Sequence, residues 1–212
     1  MTTRTPPATA TRSRWWVPAG LLALGFVPVL AGTFRVGQLA SGGRVTAENA
    51  RFFASPVPVV LHIVGATVFL VLGAFQFVPS LRRHAWHRRA GRLVLPGGLV
   101  AALAALWMTV FYPHPPGDGD LLTAFRLVFG AVMLVALVLG LRAIRDRDVA
   151  AHRAWVTRAY AIGVAAGTQA VFVGLWEGLV GPEGVTGRAL LLGAAWVFNL
   201  VVAERTIRKG RR

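Results

Sequence analysis

Residues 58–92 read PVVLHIVGATVFLVLGAFQFVPSLRRHAWHRRAGR. The first part, 58–78, is an apolar run with one histidine, His62, near its start. At a rise of about 1.5 Å per residue it is long enough to cross a hydrocarbon core of about 30 Å. Pro79 ends the run, and a short stretch crowded with arginine and histidine follows. A looser echo lies in 121–160, where an apolar run ends in RAIRDRDVAAHRAWVTRAY. Apolar run followed by basic break predicts an all-α polytopic membrane protein.

Composition agrees. Of 212 residues, 55% are hydrophobic and 15% charged, against about 25% charged in soluble domains. A soluble fold of this size has nowhere to hide so much apolar surface, whereas lipid is itself an apolar solvent. The net charge of +15 does not mark a nucleic-acid partner, because nearly all the arginines sit between apolar runs, where they set topology. The expected partners are the lipid bilayer and anionic lipid headgroups. The chain has no cysteine, which excludes disulfides, thiolate metal sites and a cysteine nucleophile.

Six spans are expected, at about 15–34, 58–78, 93–112, 121–141, 155–176 and 188–203. Residues 1–14, rich in Thr and Pro, read as a disordered tail. Residues 15–203 then form a six-span bundle, and 204–212 a basic tail. No convincing small-residue cleavage site follows Leu30, so the first run reads as a retained span rather than a signal peptide. Pro28 should bend it. In the longest connection, 35–56, VTAENARFFA suggests a short surface helix capped by Thr46, with Phe52 and Phe53 dipping into lipid.

Charge supports the span count independently. Arg82, Arg83, Arg88, Arg89 and Arg92 fill the second-to-third connection, and Arg142, Arg145, Arg147, Arg153 and Arg158 flank the fourth-to-fifth. With six spans these fall on the same side as Arg4, Arg12, Arg14 and the basic tail, while Asp118, Asp120, Glu177 and Glu183 fall on the other. Arg35, Arg44 and Arg51 are the exception on that acidic side. The expected setting is the bacterial cytoplasmic membrane, with both termini cytoplasmic.

Two clusters are candidates for chemistry. On the outer side, His62 is the one histidine within an apolar span, about five residues from its end and so roughly 7–8 Å deep. Ionisable groups at such depth face the bundle interior and mark functional sites, or bond a neighbouring carbonyl. Arg126 lies at similar depth in the fourth span, and Glu177 near the outer end of the fifth. An Arg126–Glu177 pair would neutralise both, with His62 or His114 in reach. Snorkelling of Arg126 to the surface is the alternative. On the cytoplasmic side, His87 with Arg88 and His152 with Arg153 are expected to converge, because short connections join antiparallel neighbours. His84 and His87, three residues apart, are expected to share a helical face and with His152 would supply a three-histidine metal site, or the pairs a haem edge, imidazole being suited to zinc, copper, iron and nickel. Arg88 and Arg153 suit an anionic group such as a haem propionate or a phosphate. The plainer alternative is topology plus lipid-headgroup contact. Gln76 and Asn199 are expected to bond between helices, and Gly65, Gly73, Gly163 and Gly167 to let helices approach.

The order LHI…GAFQF…LR…HRRAGR…HRAWVTRAY resembles the bacterial membrane family called domain of unknown function 2306. The matching positions are His62, Gln76, Phe77, Arg82, His87, Arg88, Gly91 and Arg92, then His152, Arg153, Trp155 and Arg158. The resemblance covers about 57–176 and implies no established activity. The family pattern has an arginine late in the fifth span, where this chain has Gln169. A small bundle with a few histidines is also loosely similar to b-type cytochrome membrane subunits, which place ligand histidines on facing spans. That likeness implies a haem- or metal-associated, redox-related role involving His62, His87 and His152, with haem or a transition metal as cofactor. Two other readings compete: a non-enzymatic carrier or lipid-interacting protein, and a structural or assembly partner in the membrane. The sequence assigns no catalytic residue.

Overall fold

The computed structural model describes residues 15–115 and 117–210, apart from the Arg83 side chain. The expected tail 1–14 lies outside the described residues. Among these the chain is all-helical: α1 Trp16–Ala40, α2 Ala50–Ala54, α3 Pro56–Phe75, α4 Ala85–Phe111, α5 Asp120–Arg145, α6 Val149–Leu179 and α7 Val185–Lys209, with a 3-10 turn at Pro79–Arg83. All but α2 are long and apolar enough to cross a bilayer, so six spans are present as expected.

Several helices outrun their apolar cores. α4 starts at Ala85 rather than 93, and α6 at Val149 rather than 155. Both His-Arg pairs therefore sit in the opening turns of helices, not in loops. Backbone hydrogen bonding does not stop where side chains become polar. Arginine is a good helix former, and its long stem lets a helical position reach water from the membrane edge. Helix starts follow local chemistry. Pro56 opens α3, where its missing N–H costs nothing. Asp148 caps α6 by accepting from the Ala151 N–H at 2.8 Å.

α6 is the centre of the bundle, packing against α1, α3, α5 and α7. Its buried side chains lie all round and are mostly small, including Ala154, Ala159, Ala161, Ala165 and Gly167. A helix apolar on every side belongs inside. α1 is the opposite case. It packs mainly on α3 and α6 and buries only Pro18 and Gly25. Large apolar side chains such as Phe34, Leu103, Val128, Leu175 and Phe198 point outward from the spans, a surface that contacts membrane lipid.

Glycine sets the closest contacts. A Cβ on Gly65 of α3 would lie 2.6 Å from the Gly97 carbonyl oxygen of α4. One on Gly167 of α6 would overlap the Leu24 carbonyl oxygen of α1. Leu24 is four residues before Pro28, so Pro28 has no N–H to offer that oxygen. α1 nevertheless runs unbroken through Pro28, and the freed carbonyl is where α6 comes closest. Asn199 bonds between helices as expected: Oδ1 accepts from Thr168 at 3.1 Å and Nδ2 donates to the Ala161 carbonyl at 3.2 Å. Gln76 shows no such bond among the described residues, where its Nε2 is buried without a partner.

The surface helix is real but shorter than expected, and Thr46 is not its cap. Asn49 precedes α2; its Oδ1 accepts from the Thr46 N–H at 2.6 Å and its Nδ2 donates to the Arg44 carbonyl. Phe52 is half-buried against neighbouring side chains. Its ring meets Tyr112 edge-on, and the Arg35 and Arg51 guanidinium groups sit 4.8 and 4.6 Å from its centroid.

Candidate functional site

A cavity of about 910 Å³ lies within the bundle and opens at the end bearing loops 112–119 and 180–184. Many of its lining residues are small, among them Gly32, Ala66, Ala101, Ala105, Gly130, Gly163 and Ala166. The floor is apolar, with Phe69, Met133 and Ile162. Beneath it Phe69 and Phe77 both pack on Tyr160, whose hydroxyl donates to the Leu70 carbonyl at 2.8 Å. That layer closes the cavity toward the arginine-rich end.

His62 is in the wall, as an ionisable residue in an apolar run should be. Its Nδ1 lies 2.9 Å from the Ala101 carbonyl oxygen of α4. A carbonyl can only accept, so Nδ1 carries the proton. Nε2 is then the nitrogen left for whatever enters. Thr67, Thr109 and Gln169 add polar atoms to the same walls.

The mouth is a chain of charges. Asp118, its side chain 4% exposed, meets Arg126 at 2.5 Å and Arg188 at 3.9 Å. Arg188 also meets Glu183 at 2.8 Å, and Glu177 stands beside Glu183. The direct Arg126–Glu177 pair expected from sequence is thus replaced by Arg126–Asp118. The reason is proximity along the chain. Asp118 lies eight residues before Arg126, in the loop that turns into α5, whereas Glu177 is exposed in the last turns of α6. The Glu183 carboxyl is held below the usual carboxylate range by its own backbone N–H and by Arg188. Arg51 also lines the mouth. Burial holds its pKa down; Asp118 opposes that shift, while Arg126 and Arg35 add to it. Arg51 is in no ion pair among the described residues.

The second locus is at the arginine-rich end. His87 lies within electrostatic range of His152, Arg82 and Arg88, and Arg82 within range of Arg153. His152 bonds back to the bundle, its Nδ1 2.8 Å from the Gly140 carbonyl oxygen of α5. His84 stays apart. It precedes α4 with an extended backbone, φ −86° and ψ 153°, and is exposed. The helical face expected to join His84 to His87 does not form there. Among the described residues no three His, Cys, Asp or Glu side chains stand together in a way that could hold a metal ion.

Sequence reasoning missed the cavity and three of its mouth residues. Asp118 looked like part of a turn and Arg188 like the start of a span. Arg51 carried a signal, as one of three arginines on the acidic side. The fold and cavity define a six-span helical membrane protein with a blind internal chamber. The chain matches the family model described as "Predicted membrane protein (DUF2306)" over residues 59–207 and belongs to that family. The match begins within α3, leaving α1 outside it. No curated protein and no solved structure matches the chain.

Proposed function

We propose that this protein binds an amphipathic anion in the cavity, as a carrier or receptor in the membrane. The observation that supports the reading is the cavity's gradient, from an apolar floor of Phe69, Met133 and Ile162 to a charged mouth. Three guanidinium groups there, Arg51, Arg126 and Arg188, face two carboxylates, Asp118 and Glu183. Of the three, Arg51 is the one in no ion pair among the described residues. Its guanidinium suits a phosphate or carboxylate head, while the shaft takes an alkyl or ring portion. The volume lies within the range of about 300–1,000 Å³ usual for small-molecule pockets. His62 would accept a hydrogen bond at Nε2 partway down. The arginine-rich end belongs in the cytoplasm by the positive-inside rule, so the mouth faces away from it.

Dodecyl phosphate titrated into the full chain in phosphatidylcholine nanodiscs tests this reading. Binding should saturate, weaken about tenfold or more in Arg51→Gln, as expected for a lost charged hydrogen bond, and weaken in His62→Leu. Unchanged binding in both variants would remove the cavity reading.

A second reading rests on His62 alone. Ligand histidines commonly donate their other ring nitrogen to a carbonyl, and His62 does so. It would hold a haem iron or another metal ion at Nε2, where the group would supply redox chemistry. Among the described residues, the only other histidine on the cavity wall is the exposed His114, so the facing pair implied by the cytochrome likeness is not assembled. A visible absorption spectrum of wild type and His62→Ala decides it. A band lost in the variant supports haem at His62, and its absence in wild type rules haem out.

A further inference from the structure

We propose that the arginine-rich end binds a phosphate group between the 3-10 turn and the opening of α6, through Arg82, His87 and Arg153. This site is separate from the cavity and lies beyond its closed floor.

The first argument is that like charges have been brought together. Arg82 comes from the turn Pro79–Arg83 and Arg153 from α6, yet each lies in the other's field. His87 and Arg88 come from the first turns of α4, and His87 also feels His152. Topology needs arginines on one side of a membrane; it does not need them converging from three elements. Convergence costs repulsion, and burial of Arg82 adds to that cost and holds its pKa down. The guanidinium is also fixed in place, with Nη2 donating to the Phe77 carbonyl at 3.3 Å.

The second argument is the lack of compensation. All eight acidic residues lie among the described residues, and none forms an ion pair with Arg82, Arg88 or Arg153. α4 begins here with no side-chain cap and no acidic residue in its first turn, so its positive end is also bare. α6, by contrast, has its Asp148 cap.

The third argument is independent of charge. Two side-chain nitrogens are buried without a partner among the described residues, His87 Nδ1 and Gln76 Nε2. Both belong to this end of the molecule, and Gln76 precedes the Phe77 whose carbonyl holds Arg82. Buried polar atoms are nearly always satisfied, so two orphans beside uncompensated arginines mark a place for an acceptor with several oxygens. A phosphate offers more acceptor oxygens, and up to twice the charge, of a carboxylate. It can be free phosphate, a soluble phosphomonoester or the headgroup of a lipid such as phosphatidic acid.

The test uses the full chain in phosphatidylcholine nanodiscs. Inorganic phosphate is titrated by calorimetry, and retention of added phosphatidic acid is read by native mass spectrometry. The wild type should bind at least one. Saturation by inorganic phosphate assigns a soluble source. Retained phosphatidic acid with no response to inorganic phosphate assigns a lipid headgroup. Arg82→Gln and Arg153→Gln should each weaken the binding seen by about tenfold or more, while Arg205→Gln, equal in charge lost but on the exposed face of α7, should leave it unchanged. Circular dichroism checks each fold. If Arg82→Gln does not fold, Arg153→Gln and Arg82→Lys, which keeps the charge but loses the fork, carry the test. Binding of neither probe by wild type, or an equal loss in Arg205→Gln, would overturn the proposal.

Discussion

His62 and Asp118 show two ways a polar residue survives in this bundle. His62 gives one ring nitrogen to α4 and keeps the other for the cavity. Asp118 gives both oxygens to guanidinium groups from α5 and α7. Removing Asp118 leaves Arg126 without its ion-pair partner, while Arg188 keeps Glu183. Asp118→Ala should therefore destabilise more than Asp118→Ala combined with Arg126→Ala, measured by thermal unfolding in detergent; the reverse order would show that the pair contributes nothing. Glu183 gives a pH prediction. Its folded pKa is depressed, so its contribution is present above the ordinary carboxylate value and lost as pH falls through the folded one. Tm should fall more steeply on acidification in wild type than in Glu183→Gln. His62 was legible in the sequence because a histidine in an apolar run has few options. Arg126 was legible as a charge but not as a pair. Its partner depends on a turn in which Gly117 takes a φ of 89°, and no spacing rule reports where such a turn delivers the next side chain.

Between elements, contacts depend on what is absent from the side chains. Gly167→Ala should push α1 off α6 and cost about 1–3 kcal/mol, whereas Gly174→Ala on the same helix, with nothing within 4 Å, should stay within about 0.5 kcal/mol. Equal effects on unfolding would show that the α1–α6 contact is not close. Helix identity was legible, since six runs of spanning length admit little else. Helix ends were not. Arginine and histidine continue a helix as readily as they occupy a loop, and only the Asp148 cap of α6 and the extended backbone of His84 before α4 mark the true starts. This moved both His-Arg pairs from connections into first turns. It also left His84 outside the face it was expected to share with His87.

For the molecule as a whole, span count and charge are two separate readings of one topology. Reporter fusions after Arg92, Asp118, Arg147 and Glu183 should alternate inside, outside, inside, outside; two adjacent connections on the same side would sink the six-span topology. The bundle was legible because lipid makes hydropathy nearly sufficient. The cavity was not. It depends on small residues from several helices coming to face one another, and Gly32, Ala101, Gly130 and Ala166 are far apart in sequence and individually unremarkable.

α1 precedes by several helices the helix it docks on, α6, the fifth of the six spans. Its main packing partners are α3 and α6, and its closest approach to α6 is the Leu24 carbonyl on Gly167. Until α6 has been made, the contact between the Pro28-freed carbonyl of Leu24 and Gly167 cannot form. The chamber's α1 wall, which includes Pro28, Val29 and Gly32, is thus among the last parts to take its place. The chain has no native cysteine, which makes this order of assembly directly observable. Cysteine pairs introduced around the Leu24–Gly167 contact should include one that crosslinks in the finished protein and none that does so in chains arrested before α6 leaves the ribosome.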